Sequence, residues 1–257
     1  MSRLDRITIA FSSALPLLLG GCAMAWPGSD ESLPKDIFST SLSSAAASAE
    51  VSGDFQSALT HYRTLYERSP KDRDLALKLA RATRLSGEPR QAAVFLEQFV
   101  RANGSDVDSH IEMARTYLAT DQLTLASRNV TEAMNKSPNN WEAFSLLGII
   151  HDYKGETSQA RDNYEKALSL SPDNPNVLNN LGLSMAMAGD LNGGIDMLEK
   201  ARGQAGASPH IRQNLALLLA MRGDITGSER FARKDMSADM VRANLRYFRA
   251  LAEGAKR

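Results

Sequence analysis

The chain has one cysteine in 257 residues, an aromatic content of 6%, and no excess of either charge, with 30 basic side chains against 30 acidic ones. A single thiol cannot close an internal disulfide, and it cannot build a cysteine-based zinc site. Zero net charge supplies no basic face for nucleic acid, whose phosphates require one. Few aromatics, with 10 Met and abundant Ala and Leu, favour helices over sheets, which draw on β-branched and aromatic residues. The uncharged, mostly apolar run from Ile7 to Leu19 has 13 residues and is interrupted by Pro16. It is shorter than the roughly 20 residues that a membrane-spanning helix needs.

What precedes and follows that run gives it a different meaning. Arg3 and Arg6 stand before it and the small residues Gly20 and Gly21 after it, which is the pattern of a secretory signal over residues 1–21. Cys22 follows directly. The string Leu19-Gly20-Gly21-Cys22 resembles the lipobox of bacterial lipoproteins, in which a peptidase needs small residues before the cut and only a thiol accepts the diacylglyceryl group. The resemblance implies that Cys22 is lipidated and becomes the first mature residue. By the sorting rule of that family, Ala23 behind it, in place of Asp, implies the outer membrane in a diderm bacterium. Ordinary cleavage after Ala23-Met24-Ala25 is the alternative, and it would release a soluble periplasmic protein. Residues 22–38, with Pro27, Gly28 and Pro34, read as a flexible tether. As a coil it would have a span of roughly 20 to 25 Å, enough to clear lipid headgroups.

The remainder is periodic. Gly53, Gly87, Gly155, Gly189 and Gly223 stand on a 34-residue ladder whose one missing rung is Asp121. In units 39–72, 73–106, 107–140, 141–174, 175–208 and 209–242, the eighth slot is always small: Ala46, Ala80, Ala114, Gly148, Gly182 and Ala216. The twentieth slot is Ala58, Ala92, Ala126, Ala160, Gly194 and Ser228, and Pro70, Pro138 and Pro172 stand near unit ends. Each unit carries two apolar stripes of helical period about a Gly-containing turn, which predicts a helical pair that must stack on its neighbours to hide its apolar face. In the first unit, Ser39 to Glu50 offers mostly Ser and Ala, which predicts a weakly held first helix. Met240, Val241, Leu245, Phe248 and Leu251 recur at helical spacing with Arg242, Arg246, Arg249 and Glu253 opposite, which predicts a capping helix over 238–253.

These residues resemble the tetratricopeptide repeat (TPR), whose pattern runs W-x2-L-G-x2-Y, A-x3-F, P over 34 residues. The unit from Trp141 to Asn174 fits it best, with Leu147-Gly148, Ala160, Tyr164, Ala167 and Pro172 in place. The resemblance implies an all-α fold, a TPR superhelix of about six helix-turn-helix repeats.

No catalytic constellation is legible. His61, His110, His151 and His210 form no H-x-x-x-H or H-E-x-x-H arrangement, and the chain has no P-loop, no G-x-S-x-G and no G-x-G-x-x-G. His110 and His151 read as packing residues. No metal, cofactor or small-molecule substrate is expected, and the chain is expected not to be an enzyme.

In TPR superhelices the first helix of each unit lines the concave groove. Slots 2, 5, 9, 12 and 13 face it and include Leu77, Arg81 and Arg84, then Ile111, Arg115 and Leu118, then Ile149, Asp152 and Tyr153. Asn179, Leu183 and Met187 follow, and then Gln213, Leu217 and Met221. The N-terminal half of this groove reads as basic and the C-terminal half as apolar and amide-rich, which suits a peptide with an acidic end and an apolar body. The carboxylate clamp of chaperone-binding TPR proteins needs basic and Asn side chains where Ser145 and Ile149 stand. Binding to a chaperone's C-terminal tail is therefore not expected.

The last third adds a narrower likeness. Arg212-Gln213-Asn214-Leu215-Ala216-Leu217, Arg222-Gly223-Asp224, Asn244-Leu245, Tyr247 and Arg249-Ala250-Leu251 resemble the C-terminal part of the TadD lipoprotein family of tight-adherence (Tad, or Flp) pilus systems. That resemblance implies a pilotin-like adaptor, held by its lipid on the periplasmic side of the outer membrane. Its partner would be the secretin or another pilus assembly component. A general cell-envelope scaffold for peptidoglycan enzymes or outer-membrane protein assembly is the alternative.

Overall fold

The computed structural model describes residues 35–235 and 239–241. Among the described residues there are twelve named helices, a short helical stretch over 239–241, and no strands. They pair as α1 (Lys35–Ser52) with α2 (Phe55–Arg68), α3 (Arg73–Leu85) with α4 (Pro89–Asn103), and α5 (Val107–Leu118) with α6 (Leu123–Lys136). Then α7 (Trp141–Tyr153) pairs with α8 (Thr157–Leu170), α9 (Pro175–Met187) with α10 (Leu191–Arg202), and α11 (Pro209–Arg222) with α12 (Ile225–Ala232). This is the TPR-type superhelix expected from the 34-residue period.

Local chemistry explains most of the boundaries. The Gly rungs lie between the helices of a pair with positive φ, from +74° at Gly155 to +95° at Gly223. Asp121, on the rung without Gly, adopts φ +58°, a left-handed conformation that short polar side chains tolerate better than most. In four units the last residue caps the next unit's first helix: Asp72, Asp106, Asn140 and Asn174 each accept from a backbone N–H of the first turn, whereas Ser208 makes no such bond to α11. Second helices follow slot 16. Asp54, Asp190 and Asp224 cap α2, α10 and α12, whereas the longer Glu88, Gln122 and Glu156 make no such bond. Helices α2, α6 and α8 stop two residues before Pro70, Pro138 and Pro172, which disfavour helical geometry in the residue ahead of them.

Small residues set the packing distance. Ala58, Ala92, Ala126 and Ala160 are fully buried between the helices of their pairs. A Cβ on Gly148 would stand 2.5 Å from the Tyr164 ring. In unit five both slots are Gly, and a Cβ on Gly182 would lie 2.8 Å from the carbonyl oxygen of Gly194, so α9 and α10 meet backbone to backbone. Buried clusters then run from end to end: around Tyr62 and Leu79, around Val130 and Ile150, around Tyr164 and Leu181, and around Leu198 and Leu215.

The two ends refine the expected boundaries. Helix α1 begins at Lys35, inside the segment read as tether, because Phe38 lies under the Arg68 guanidinium, 4.0 Å from its ring centroid, and Ala46 is fully buried. The first helix of unit one is formed despite its Ser and Ala content. At the other end Val241 is buried in the last cluster beside Phe231 and Leu215. Cys22, residues 1–21, most of the tether and most of the capping segment 238–253 lie outside the described residues.

Candidate functional site

Consecutive first helices touch one another, α3 with α5, α5 with α7, α7 with α9 and α9 with α11, in addition to their own partners. They therefore form the inner layer of the curve. Two adjoining clefts open along this layer, sharing Ile149 and Tyr153 as their common wall.

The first cleft has a volume of about 640 Å³ and brings together Arg81, Arg84, Arg115 and Leu118 with Trp141, Glu142 and Asn176. Its arginines are not free cations. Arg84 Nε donates to Glu112 Oε1 at 2.8 Å, and the two side chains retain 13% and 6% exposure. Arg115 donates to Glu142 at 2.7 Å and stands 3.7 Å from Glu112, while Arg81 stands 3.7 Å from Glu50. The expectation of a basic N-terminal half is corrected: each arginine meets a carboxylate from its own or a neighbouring unit. Glu142 and Glu112 occupy slots 2 and 6, which face the same groove as the arginines.

The second cleft, about 400 Å³, lies between α7, α8 and α9 and is lined by Ile149, Asp152, Tyr153, Tyr164, Asn180, Leu183 and Met187. Its lip is open, with Tyr153 58% and Met187 69% exposed. At its floor Asp152 accepts from the Tyr164 hydroxyl at 2.7 Å and from Ser184 Oγ at 2.6 Å. Burial and this carboxylate push the Tyr164 phenol far above its ordinary range.

Beyond the cleft, amides join units four, five and six. Asn214 Nδ2 donates to Asn179 Oδ1 at 2.8 Å, Asn179 to Asn180 at 3.1 Å, and Asn180 to Ser145 Oγ at 3.4 Å. An amide offers two donors and an acceptor with two lone pairs, so this row retains unused hydrogen-bonding capacity on a half-buried surface. Gln213 is half-buried beside His210 at 3.3 Å, Leu217 is half-buried, and Met221 is exposed on the same helix.

Other expected groove residues are placed differently. Ile111 is 3% exposed and belongs to the core around Val130, because α5 packs that side against α6; it does not line the groove. Leu118 is also largely core and reaches only the edge of the first cleft. Leu77 is half-buried and lines neither cleft. The residues singled out from the slots omit Glu142, which stands on the groove slot 2, and Glu112, Asn180 and Asn214 at slot 6, Ser184 at slot 10 and Tyr164 at slot 24, which lie outside the slots read. His110 contacts Asn129 at 3.0 Å and His151 contacts Glu156 at 2.5 Å. Among the described residues no cluster of His, Cys, Asp and Glu could hold a metal ion, and no helix is long and apolar enough to cross a membrane.

Comparison with known proteins agrees with this architecture. A family model described as tetratricopeptide repeat matches residues 45–107, and one described as TPR repeat matches residues 153–189. The fold is similar to that of a thermophilic TPR protein from Thermus thermophilus, with TM-score 0.63 and 19% identity over 70% of this chain and 98% of that one. It is also similar to a chain of the APC/C hetero-tetramer Cut9-Hcn1, with TM-score 0.65 and 16% identity over 79% of this chain and 39% of that one. A third likeness is to the human IFIT1 dimer with PPP-AAAA, with TM-score 0.58 and 16% identity over 72% of this chain and 46% of that one. At these identities the likeness is one of fold. No curated protein matches the chain at a significant level.

Proposed function

We propose that this tetratricopeptide-repeat chain is a non-enzymatic protein-binding adaptor that holds a segment of its partner in the groove of its first helices. The observation that carries the reading is the continuity of that groove: an apolar cleft open at Tyr153 and Met187 passes into a row of amides with spare donors and acceptors. Leu and Met adapt to side chains of many shapes, and amides pair with a peptide backbone whatever its sequence.

The finer reading is that the adaptor is lipid-anchored at Cys22 on the periplasmic side of the outer membrane. There it assists the secretin, or another assembly component, of a Tad/Flp pilus. The string Leu19-Gly20-Gly21-Cys22, Ala23 behind it, and the resemblance over residues 212–251 support this reading.

Two experiments test the levels separately. Cys22→Ser should abolish palmitate labelling and membrane fractionation; a variant still labelled and still membrane-bound overturns the anchor. Combined Leu183→Asp and Leu217→Asp, on half-buried groove positions, should weaken retention of secretin from envelopes while the circular dichroism stays helical. Undiminished retention moves the binding surface off the groove.

A further inference from the structure

Among the charged side chains that line the two clefts, Asp152 alone has no ion-pair partner among the described residues. In the first cleft Arg81, Arg84 and Arg115 are matched by Glu50, Glu112 and Glu142. In the second, Asp152 has two hydroxyl partners, Tyr164 and Ser184, and no Lys, Arg or His among the described residues forms an ion pair with it. The hydroxyls fix the orientation of the carboxylate and add no positive charge. Around it stand apolar walls, Ile149 and Tyr153 from α7 and Leu183 and Met187 from α9, and the cleft opens to solvent at its lip.

We infer that this cleft receives a lysine or arginine side chain of the bound partner, with its cation on Asp152. The inference rests on the groove reading above and names the chemistry of the partner. A long basic side chain is apolar along its stem and charged at its tip, which matches a cleft that is apolar at the walls and anionic at the floor. Each oxygen of Asp152 receives one hydroxyl and has a lone pair left for an N–H donor. Tyr153, exposed at the lip, adds an aromatic ring, a group that attracts cations, to the cleft lining. An apolar residue in the same place would bury the carboxylate against hydrocarbon without compensation, and an acidic one would add a like charge. Asn180, also in the cleft wall, links the site to the amide row, so the basic residue is placed within an extended segment whose backbone runs on toward Asn179 and Asn214. The partner segment is thus basic where it enters the second cleft, the opposite of the acidic end suggested by the arginines alone.

The test uses the purified full-length chain and three fluorescent, end-capped pentapeptides identical except at the centre, which is lysine, norleucine or glutamate. Norleucine keeps the length of the lysine stem and lacks the charge. The lysine peptide should bind about tenfold more tightly than the norleucine peptide, the scale of one charge-assisted hydrogen bond. Asp152→Asn should erase that difference. Because Asp152 also ties α7 to α8 and α9, a second variant guards against misfolding: Met187→Lys, at an exposed position, supplies a cation from the chain itself. It should erase the lysine preference with the melting temperature unchanged or raised, whereas Met187→Leu should keep the preference. Equal binding of the lysine and norleucine peptides by the wild type, tightest binding of the glutamate peptide, or a lysine preference that survives Asp152→Asn overturns the inference and leaves the groove standing. Absence of binding by all three peptides overturns the groove reading along with it.

Discussion

The hydroxyl of Tyr164 donates to the carboxylate of Asp152, and the same two repeat slots hold Tyr62 and Glu50, whose hydrogen bond measures 3.0 Å. Slot 24 is buried between the helices of each pair, and in the other units it holds the apolar Leu96, Val130, Leu198 and Ala232. Where a phenol replaces them, an acid stands at slot 12 to accept its hydrogen bond. Where it does not, slot 12 is Arg84, Leu118, Ala186 or Ala220. The pair is therefore a unit of design, a buried donor supplied with its acceptor.

Removing the donor should show the cost of separating that pair. Tyr164→Phe leaves Asp152 with one hydroxyl partner and should destabilise the fold by about 1–2 kcal/mol, measured by chemical denaturation. Exposed Tyr153→Phe should be near neutral by the same measurement.

Alkali should probe the same chemistry. Burial first, and then the hydrogen bond to Glu50, push Tyr62 up to about 12 from its ordinary 10.0; burial and Glu97 do the same to Tyr117. The folded state holds these protons more tightly than the unfolded chain, so their contribution is intact below pH 10 and is lost as pH rises through about 12. Denaturation midpoints should fall over that interval, and Tyr62→Phe should flatten the fall. An unchanged slope in the variant contradicts the assignment.

Ala160 is fully buried where α7 and α8 meet. Ala160→Trp should lower stability by about 3 kcal/mol or more, since backbone and ring must both move to admit an indole. Lys154→Ala, in the turn between the same helices, should change stability by less than about 0.5 kcal/mol. Equal melting temperatures would contradict the assigned repeat phase.

Asp121 carries a left-handed φ of +58° in a turn where the other units use Gly. Asp121→Gly removes the steric penalty of a Cβ there and should raise stability by up to about 1 kcal/mol. A loss of stability would mean that the carboxylate has a role beyond its backbone conformation.

The arginines differ in what they support. Arg84→Ala strips the nearly buried Glu112 of its closest cation and should cost about 3 kcal/mol, whereas Arg81→Ala, 54% exposed, should cost about 1 kcal/mol or less. A triple Arg81, Arg84 and Arg115 to Ala variant is consequently a test of folding more than of binding, and its melting curve should show it.

Much of the fold was legible because TPR geometry writes itself into residue size. Gly at the turn, Ala, Gly or Ser at slots 8 and 20, and Asp, Asn or Ser ahead of the first helices of the second and later units each answer one steric or hydrogen-bonding need, so they recur at a fixed interval. The groove was less legible for a physical reason. Slots 5, 9 and 12 name a face, but whether a residue on it reaches solvent depends on the neighbouring unit, as Ile111 and Leu118 show by joining the core. Charge was the hardest to read. Arg84 and Arg115 read as a basic patch in the sequence, yet Glu112 and Glu142, 28 and 27 residues away along the chain, lie against them. The slots place Glu112 and Glu142 on the groove side, but which arginine each one meets is set by side-chain length and by the crossing of neighbouring units.

The side-chain ties that cross from one unit to the next share one property, their reach along the chain. Arg84 to Glu112 spans 28 residues, Arg115 to Glu142 spans 27, Asp152 to Ser184 spans 32, and Asn179 to Asn214 spans 35. The entropy of closing a loop rises only with the logarithm of its length, so the shortest and the longest of these closures differ by about 0.2 kcal/mol. No rung has to wait for a distant end of the chain. During synthesis each one can form as soon as one further repeat has left the ribosome, and assembly proceeds in the order of translation.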